Sequence, residues 1–307
     1  MPHTLAAMTT TASTHSTAES PVIDPVDSAP EPYFPPPSEA PRKTVRVLPF
    51  SAPFGWLAAA WRDLVSQPGI AAFYGVAFTI MAVILSAVFR NSPEYTMTIA
   101  SGCLLVGPFL AMGLYEVSRR REAGITPTLG SSITCWDAHL PSMAMLILVL
   151  MVLELLWGRA SLVVFAVFFN TGMPSTTGVI QAVFNPENWE FVAAYTVVGG
   201  AFAVLVFATS VVSIPMILDR DTDAISAAIT SIEVFFRNVA VMVLWGVLLT
   251  GLLVLGMLLP WHAGLLVVGP WLGHASWHAY RGAVLWPEAE TPSEAAENVA
   301  GPGGRSA

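Results

Sequence analysis

Six apolar stretches, each close to the length that a helix needs to cross a bilayer, constrain this chain more than any other feature. A bilayer core about 30 Å thick requires about 20 helical residues. The stretches cover residues 69–90, 96–115, 142–161, 192–213, 239–259 and 263–280. Because open strands would leave backbone amides unpaired in lipid, all six are predicted to be helices. The sequence therefore predicts an all-α polytopic membrane protein with six transmembrane helices.

The composition agrees with a membrane protein and excludes a nucleic-acid-binding protein. Of the 307 residues, 54% are hydrophobic and 11% are charged, against about 25% charged residues in soluble domains. A nucleic-acid-binding protein needs a basic stripe, but Lys43 is the single lysine and the arginines are scattered. We therefore expect the lipid bilayer as a partner and no nucleic acid. Cys103 and Cys135 form no disulfide or metal pattern and are expected to be free thiols.

The positions of the basic residues predict the orientation of the six helices. If the amino terminus lies inside, eleven basic residues fall on the cytoplasmic side, whereas Arg90 and Arg159 fall near the outer face. The run "SRRRE" at residues 118–122 contributes most to this asymmetry. By the positive-inside rule, both termini are predicted to be cytoplasmic, in the inner membrane of a bacterium.

Three regions follow from the composition along the chain. Residues 1–44 are rich in Thr, Ser, Ala, Pro and Glu and lack an apolar block, so they predict a disordered tail. Residues 286–307 have the same character. Residues 45–285 between them form the predicted transmembrane domain.

An amphipathic segment precedes the first, third and fifth apolar stretches. Apolar residues recur there at helical spacing: Phe54, Leu57, Trp61 and Leu64; Ile133, Trp136 and Leu140; and Ile225, Ala228, Ile232 and Phe235. All three segments fall on the predicted cytoplasmic side, just before an outgoing helix. Together with the helices that follow, they indicate a repeated unit.

The returning helices of the three units share a proline. The prolines are Pro108, Pro215 and Pro270, and the residues eight positions later are Glu116, Asp223 and His278. Proline frees the carbonyl four residues earlier, here on Leu104, Val211 and Leu266. In lipid these carbonyls need partners, so the kinks are expected to face protein or trapped water. Each unit is then an interfacial helix, an outgoing helix and a kinked returning helix, and three parallel hairpins result.

The third stretch predicts an irregularity and contains a buried acid. Residues 142–169 exceed the length that the bilayer requires, so we expect a break near Gly158 and Arg159. Glu154 would then lie about 6 Å below the membrane surface. An ionisable residue in an apolar run is a functional candidate, although snorkelling near the surface would make Glu154 ordinary.

Other polar residues have a functional and a structural interpretation. His274 and His278 lie four residues apart and would present two imidazoles to a metal or haem, or they would lie among the interfacial aromatic residues. Glu116 would pair with arginines on its own helix or form a proton or lipid-headgroup site. Asp219 and Asp223 are candidate functional residues too, with capping of the next helix as the structural alternative.

Several blocks of the chain resemble a known family. They are "FGWLAAAWRDLVSQPG", "GPFLAMGLYEVSRRRE", "SVVSIPMILDRD" and "GPWLGHASWHAYR". They are similar to the recurring blocks of bacterial integral membrane proteins in domain-of-unknown-function family 2189, over about residues 45–284. The resemblance implies a multipass inner-membrane protein without an assigned activity. Some relatives are labelled cytochrome c oxidase subunits.

Three functions follow as hypotheses. With no phosphate-binding loop, nucleophile elbow or paired cysteine and base in the sequence, we favour a non-enzymatic conduit, lipid-binding protein or assembly component, with no evident cofactor. The first alternative is a metal- or haem-binding accessory of a respiratory complex, based on His274 and His278. The second is a membrane enzyme acting on lipids, based on Glu116 and the acids between Asp219 and Asp223. A membrane-protein complex is a candidate partner.

Overall fold

The computed structural model describes residues 43–92, 95–169 and 188–286. The predicted disordered tails lie outside these residues, apart from Lys43, Thr44 and Trp286. The regular secondary structure of the described residues is helical except for one pair of short strands. The strands are β1 (Thr44–Val45) and β2 (Val284–Leu285), and the helices are α1 (Ala52–Ser66), α2 (Pro68–Asn91), α3 (Thr96–Glu122), α4 (Leu129–Ile133), α5 (Leu140–Phe168), α6 (Trp189–Ser210), α7 (Ser213–Arg220), α8 (Ala224–Arg237), α9 (Val239–Leu258) and α10 (Leu265–Ala283).

Five helical regions of the described chain are long and apolar enough to cross a membrane. They are Pro68–Asn91, Ile99–Glu122, Leu129–Phe168, Trp189–Arg220 and Val239–Leu258. The sixth predicted span corresponds to α10, which does not reach this hydropathy because its second half carries His274, His278 and Arg281. Helix α10 contacts α1, α2, α3, α7 and α9. Because protein covers much of this helix, it needs less apolar surface than a helix facing lipid on all sides.

The expected break in the third stretch is wrong. Helix α5 runs without interruption from Leu140 to Phe168 and passes through Gly158 and Arg159. Its second half packs on α6, where the ring of Phe165 lies 4.9 Å from that of Phe191 and 5.6 Å from that of Tyr195. This packing stabilises the helix beyond the length that the bilayer alone requires.

The three prolines act in two ways. Pro108 and Pro270 lie inside α3 and α10. Pro215 is the third residue of α7, and the chain breaks before it, at residues 211–212 between α6 and α7. The amide of Val212 at this break donates to Ser231 Oγ at 3.3 Å. A break with a side-chain partner thus replaces the kink expected at Pro215.

The carbonyl freed by Pro270 faces protein, as expected. A Cβ atom added to Gly75 of α2 would lie 2.1 Å from the carbonyl oxygen of Leu266, so the two backbones are in close contact there. Gly269 and Gly273 of α10 similarly face Phe78 and Leu114. Small residues that let helices approach closely are typical of membrane helix packing.

Buried residues recur at similar spacing along helices α1 and α8. The buried residues are Pro53, Trp56, Leu57, Ala60, Asp63 and Leu64 in α1, and Ala224, Ala227, Thr230, Ser231, Val234 and Phe235 in α8. Exposed apolar residues recur on the other side: Phe54, Trp61 and Val65, and Ile225, Ile229 and Phe236. Phe54, Trp61 and Ile225, which belong to the predicted apolar patterns of these helices, thus lie on the exposed side. In the second unit, Ile133 and Leu140 are exposed as well.

The helices that carry the three prolines, α3, α7 and α10, contact one another. Helix α1 contacts α10, α4 contacts α3, and α8 contacts α6 and α7, so each short helix packs on a helix that carries one of the three prolines.

The two strands join the first and last described segments. In their antiparallel ladder, Thr44 pairs with Leu285 and Val45 with Val284. The side chain of Asn238 anchors the same segment, since its Oδ1 accepts from the amide of Leu48 at 2.8 Å and its Nδ2 donates to the carbonyl of Arg46 at 2.9 Å.

Candidate functional site

Polar side chains from α1, α3 and α10 meet at one end of the bundle, and we call Asp63, Ser118, Arg121, Glu122, His274 and His278 the polar cluster. Asp63 lies at its centre and is 8% exposed. Its Oδ2 accepts from Ser118 Oγ at 2.6 Å and lies 2.9 Å from His278 Nε2. Its Oδ1 pairs with Arg121. Because a carboxylate only accepts, His278 carries a hydrogen on Nε2.

His274 joins the cluster through Ser118. Its side chain is buried, and its Nδ1 lies 2.9 Å from Ser118 Oγ. Ser118 has one hydroxyl hydrogen and donates it to Asp63. The Ser118 hydroxyl thus links the Asp63 carboxylate to the His274 imidazole.

The environment of Asp63 favours its ionised form. Burial raises the pKa of this carboxyl, but hydrogen bonds from His278 and Ser118 lower it, as do the charges of His278 and His274. The net result is a pKa below the ordinary value of 3.8. Asp63 therefore remains a carboxylate at neutral pH, with Arg121 beside it.

A second set of contacts extends the polar cluster toward α7 and the end of the described chain. Glu122 Oε2 accepts from Arg281 Nε at 3.1 Å, and Glu122 Oε1 lies 3.6 Å from His278 Nδ1. Asp219 Oδ2 accepts from Tyr280 Oη at 2.7 Å and lies 3.7 Å from Arg281. This carboxylate also pairs with its neighbour Arg220, whose guanidinium lies 5.2 Å from the ring centre of Trp286.

The proposed metal ligands thus have other partners. His274 and His278 are both hydrogen-bonded within the polar cluster. Within residues 43–92, 95–169 and 188–286, no group of three or more His, Cys, Asp or Glu side chains is arranged to hold a metal ion. The geometry is that of a satisfied polar network.

Glu116 and Asp223 have the structural partners that the sequence predicts. Glu116 is 2% exposed, and its two oxygens accept from Arg119 Nε at 2.7 Å and Arg120 Nε at 2.6 Å. Asp223 caps α8, because its Oδ1 accepts from the amide of Ser226 at 2.9 Å. Hydrogen bonds from Ser226 lower the pKa of Asp223.

Glu154 lies apart from the polar cluster, at a cavity of about 830 Å³ between α5 and α6. We call this space the α5–α6 cavity. Its lining is mainly apolar and comprises Ala100, Leu150, Leu153, Glu154, Trp157, Tyr195, Thr196, Gly199, Gly200, Phe202, Ala203, Val206, Phe207 and Ser210. Glu154 Oε2 is buried and has no hydrogen-bond partner among the residues that the structure describes.

The sequence analysis missed the residue that joins the two histidines. Asp63 follows Ala60 by three residues and Trp56 by seven, so it lies on the buried face of α1. That spacing, together with the presence of an acid in an apolar pattern, is the feature of the sequence that could have identified Asp63. The predicted apolar pattern of α1 includes Phe54 and Trp61 and therefore does not point to Asp63.

The described fold defines a class: this is an integral membrane protein with several apolar helices. Residues 96–219 match the family described as "Predicted integral membrane protein (DUF2189)", and over this range the resemblance seen in the sequence is confirmed. The comparisons with curated proteins and with solved structures return no match.

Proposed function

We propose that this protein is a non-enzymatic component of the bacterial inner membrane that binds a hydrophobic or amphiphilic molecule from the bilayer. The observation that carries the proposal is the α5–α6 cavity. Its volume of about 830 Å³ falls within the usual range for small-molecule sites. Exposed apolar residues such as Leu155 and Val197 flank it on the same two helices, so a ligand can enter from the lipid.

In this proposal the chain crosses the membrane six times. The pairing of β1 with β2 supports an even number of crossings, because it holds the segments before α2 and after α10 at the same side. Five spans meet the hydropathy criterion, and α10 supplies the sixth. The contacts among α3, α7 and α10 support three hairpins around these returning helices.

Both termini are cytoplasmic in the same proposal, and α1 and α8 lie along the cytoplasmic surface of the bilayer. The basic residues of the polar cluster and of α3 support this orientation under the positive-inside rule. The exposed apolar residues of α1 and α8 would face the interface.

The alternatives of a metal- or haem-binding accessory and of a lipid-acting enzyme receive less support. A metal would require His274 and His278 to exchange Ser118 and Asp63 for a new ligand. Lipid chemistry would require Glu116 to leave its two arginines. The α5–α6 cavity needs no such rearrangement.

A cavity-filling substitution tests the proposal. Gly200 lines the α5–α6 cavity, and a Cβ atom there would meet nothing within 4 Å, so Gly200→Leu fills the cavity without a backbone clash. Gly251→Leu is the matched control, because Gly251 has the same free space but lines a neighbouring cavity, mainly between α6 and α9, and does not line the α5–α6 cavity.

Both variants and the wild-type protein are purified in mild detergent, and bound molecules are identified by native mass spectrometry. We expect a bound hydrophobic species in the wild-type protein and in Gly251→Leu, and its loss in Gly200→Leu. A wild-type protein without such a species, or equal occupancy in all three proteins, would refute the proposed function.

A further inference from the structure

We propose that the ligand of the α5–α6 cavity is a lipophilic cation, with an ammonium or similar onium group on an apolar body, and that Glu154 selects it. This inference rests on the proposed function and adds the chemical class of the ligand. It depends on the depth of Glu154, on its unpartnered oxygen and on the aromatic residues around it.

Glu154 lies at the middle of α5. Fourteen residues separate it from Leu140 and fourteen from Phe168, or about 21 Å of helix on either side. Because α5 continues past Gly158, Glu154 is far from both ends rather than one turn below the surface. An ionisable side chain at such a depth is costly in a membrane, and a functional role offsets that cost.

The carboxylate lacks a partner that would stabilise it. Glu154 Oε2 is buried and accepts no hydrogen bond from any residue that the structure describes. Arg159 does not line the cavity and is exposed. A buried acceptor without a donor costs about 1–3 kcal/mol, and more when it is charged. A cationic ligand would supply both the charge and the donor or electrostatic partner that are missing.

Four aromatic side chains line the same cavity as Glu154: Trp157, Tyr195, Phe202 and Phe207. The ring of Trp157 lies 5.2 Å from that of Tyr195 and 5.8 Å from that of Phe202. Aromatic faces attract ammonium and quaternary cations, most strongly where water is excluded. A carboxylate next to several rings is therefore suited to an onium group.

The rest of the lining sets the other properties of the ligand. Leu150, Leu153, Val206 and Phe207 provide apolar surface for a hydrophobic body. Glu154 is the one charged side chain among the described residues that line the cavity. Without a lysine or arginine in this lining, the site opposes an anion and favours a cation.

Two probes of similar shape and opposite charge test this inference. Binding of radiolabelled tetraphenylphosphonium and tetraphenylborate to the purified full-length protein is measured by equilibrium dialysis in mild detergent. The variants are Glu154→Gln, which removes the charge, and Glu154→Asp, which keeps it. Thr196→Lys places a positive charge in the same cavity, and Gly251→Leu is the control.

We expect the wild-type protein and Gly251→Leu to prefer tetraphenylphosphonium. Loss of one partner of a buried charge pair costs about 2 kcal/mol or more, so Glu154→Gln should weaken binding of the cation about 30-fold without weakening that of tetraphenylborate. Glu154→Asp should keep the preference for the cation. Thr196→Lys should abolish the preference for the cation, because the new positive charge neutralises that of Glu154, and it gives a second readout if Glu154→Gln does not fold.

Other results would overturn the inference. Stronger binding of tetraphenylborate by the wild-type protein would do so, as would unchanged tetraphenylphosphonium binding in Glu154→Gln or Thr196→Lys. If Gly200→Leu removes the bound species while these charge variants change nothing, the cavity binds a ligand but not by its charge. If the wild-type protein binds neither probe and Gly200→Leu has no effect, the proposed function fails as well.

Discussion

Substitution of Asp63 by asparagine should destabilise the bundle, because Asp63 connects three helices. Its carboxylate accepts from Ser118 of α3 and His278 of α10 and pairs with Arg121 of α3. Asparagine has nearly the same shape, so Asp63→Asn removes the charge without leaving a cavity. One of its two oxygen positions becomes an amide group that donates and cannot accept.

The magnitude follows from these contacts. A hydrogen bond to a charged group contributes about 1.5–3 kcal/mol, and the bonds from Ser118 and His278 are in a buried region. The Arg121 side chain is 30% exposed, so solvent screens that ion pair and its share is small. Both bonds end on Oδ2, so the amide oxygen of asparagine can keep them only as uncharged bonds and only with its NH2 group turned toward Arg121. We therefore expect a loss of about 2–3 kcal/mol.

Equilibrium unfolding in mixed micelles, with increasing sodium dodecyl sulfate in a mild detergent, measures this change. Glu233→Gln is the control, since it removes the same charge from an exposed pair with Arg237 at 3.7 Å. The control should change the free energy of unfolding by less than about 0.5 kcal/mol. If Asp63→Asn has an effect as small as that of the control, Asp63 does not hold the helices together as described.

Three further predictions concern stability measured in the same way. Since folding lowers the pKa of Asp63 below 3.8, its stabilising contribution is fully present above that pH and is lost as the pH falls through the folded value, so Asp63→Asn should show a flatter acid limb. Gly75→Ala should destabilise the protein by about 1–3 kcal/mol or more, because the new methyl group meets the Leu266 backbone; Gly69→Ala, with open space around it, should not destabilise it. Asp223→Ala should cost about 1 kcal/mol through loss of the α8 cap, and an unchanged free energy would contradict that role.

The apolar stretches predicted all six long helices, but the last one, α10, is not apolar enough to be identified as a membrane span by hydropathy alone. The apolar stretches correspond to α2, α3, α5, α6 and α9 because these helices expose much of their surface. Helix α10 carries buried polar residues whose partners are on other helices. The partner of His278 is Asp63, at the opposite end of the sequence, and helical spacing alone cannot reveal a contact between residues so far apart.

The periodic patterns of the short helices identified their position but not their buried side. An interfacial helix has apolar residues toward the protein and toward the lipid, so the two sets overlap in the sequence. In α8 the buried side includes Thr230 and Ser231, whereas Ile225 and Phe236 are exposed. Local residue types could not distinguish these sides, since tertiary contacts with α6 and α7 decide which one is covered.

The position of Glu154 in the middle of a long helix could not be predicted from the local sequence either. Gly158 and Arg159 resemble a helix end, but rings on α6 stabilise α5 past them. The acid thereby moves from a shallow position to the middle of a long helix. The cavity that it lines is formed only together with the neighbouring helix.

The pairing of β1 with β2 brings the two ends of the described chain next to each other. Because the first and last described segments are hydrogen-bonded neighbours, a short linker could join them, and new ends could be opened in the connection between α3 and α4, where Gly124 has a φ of 70°. In the proposed arrangement of three hairpins, such a circular permutant would begin with the second hairpin and would still insert its helices two crossings at a time. Its covalent order would differ while the insertion direction of every helix stayed the same.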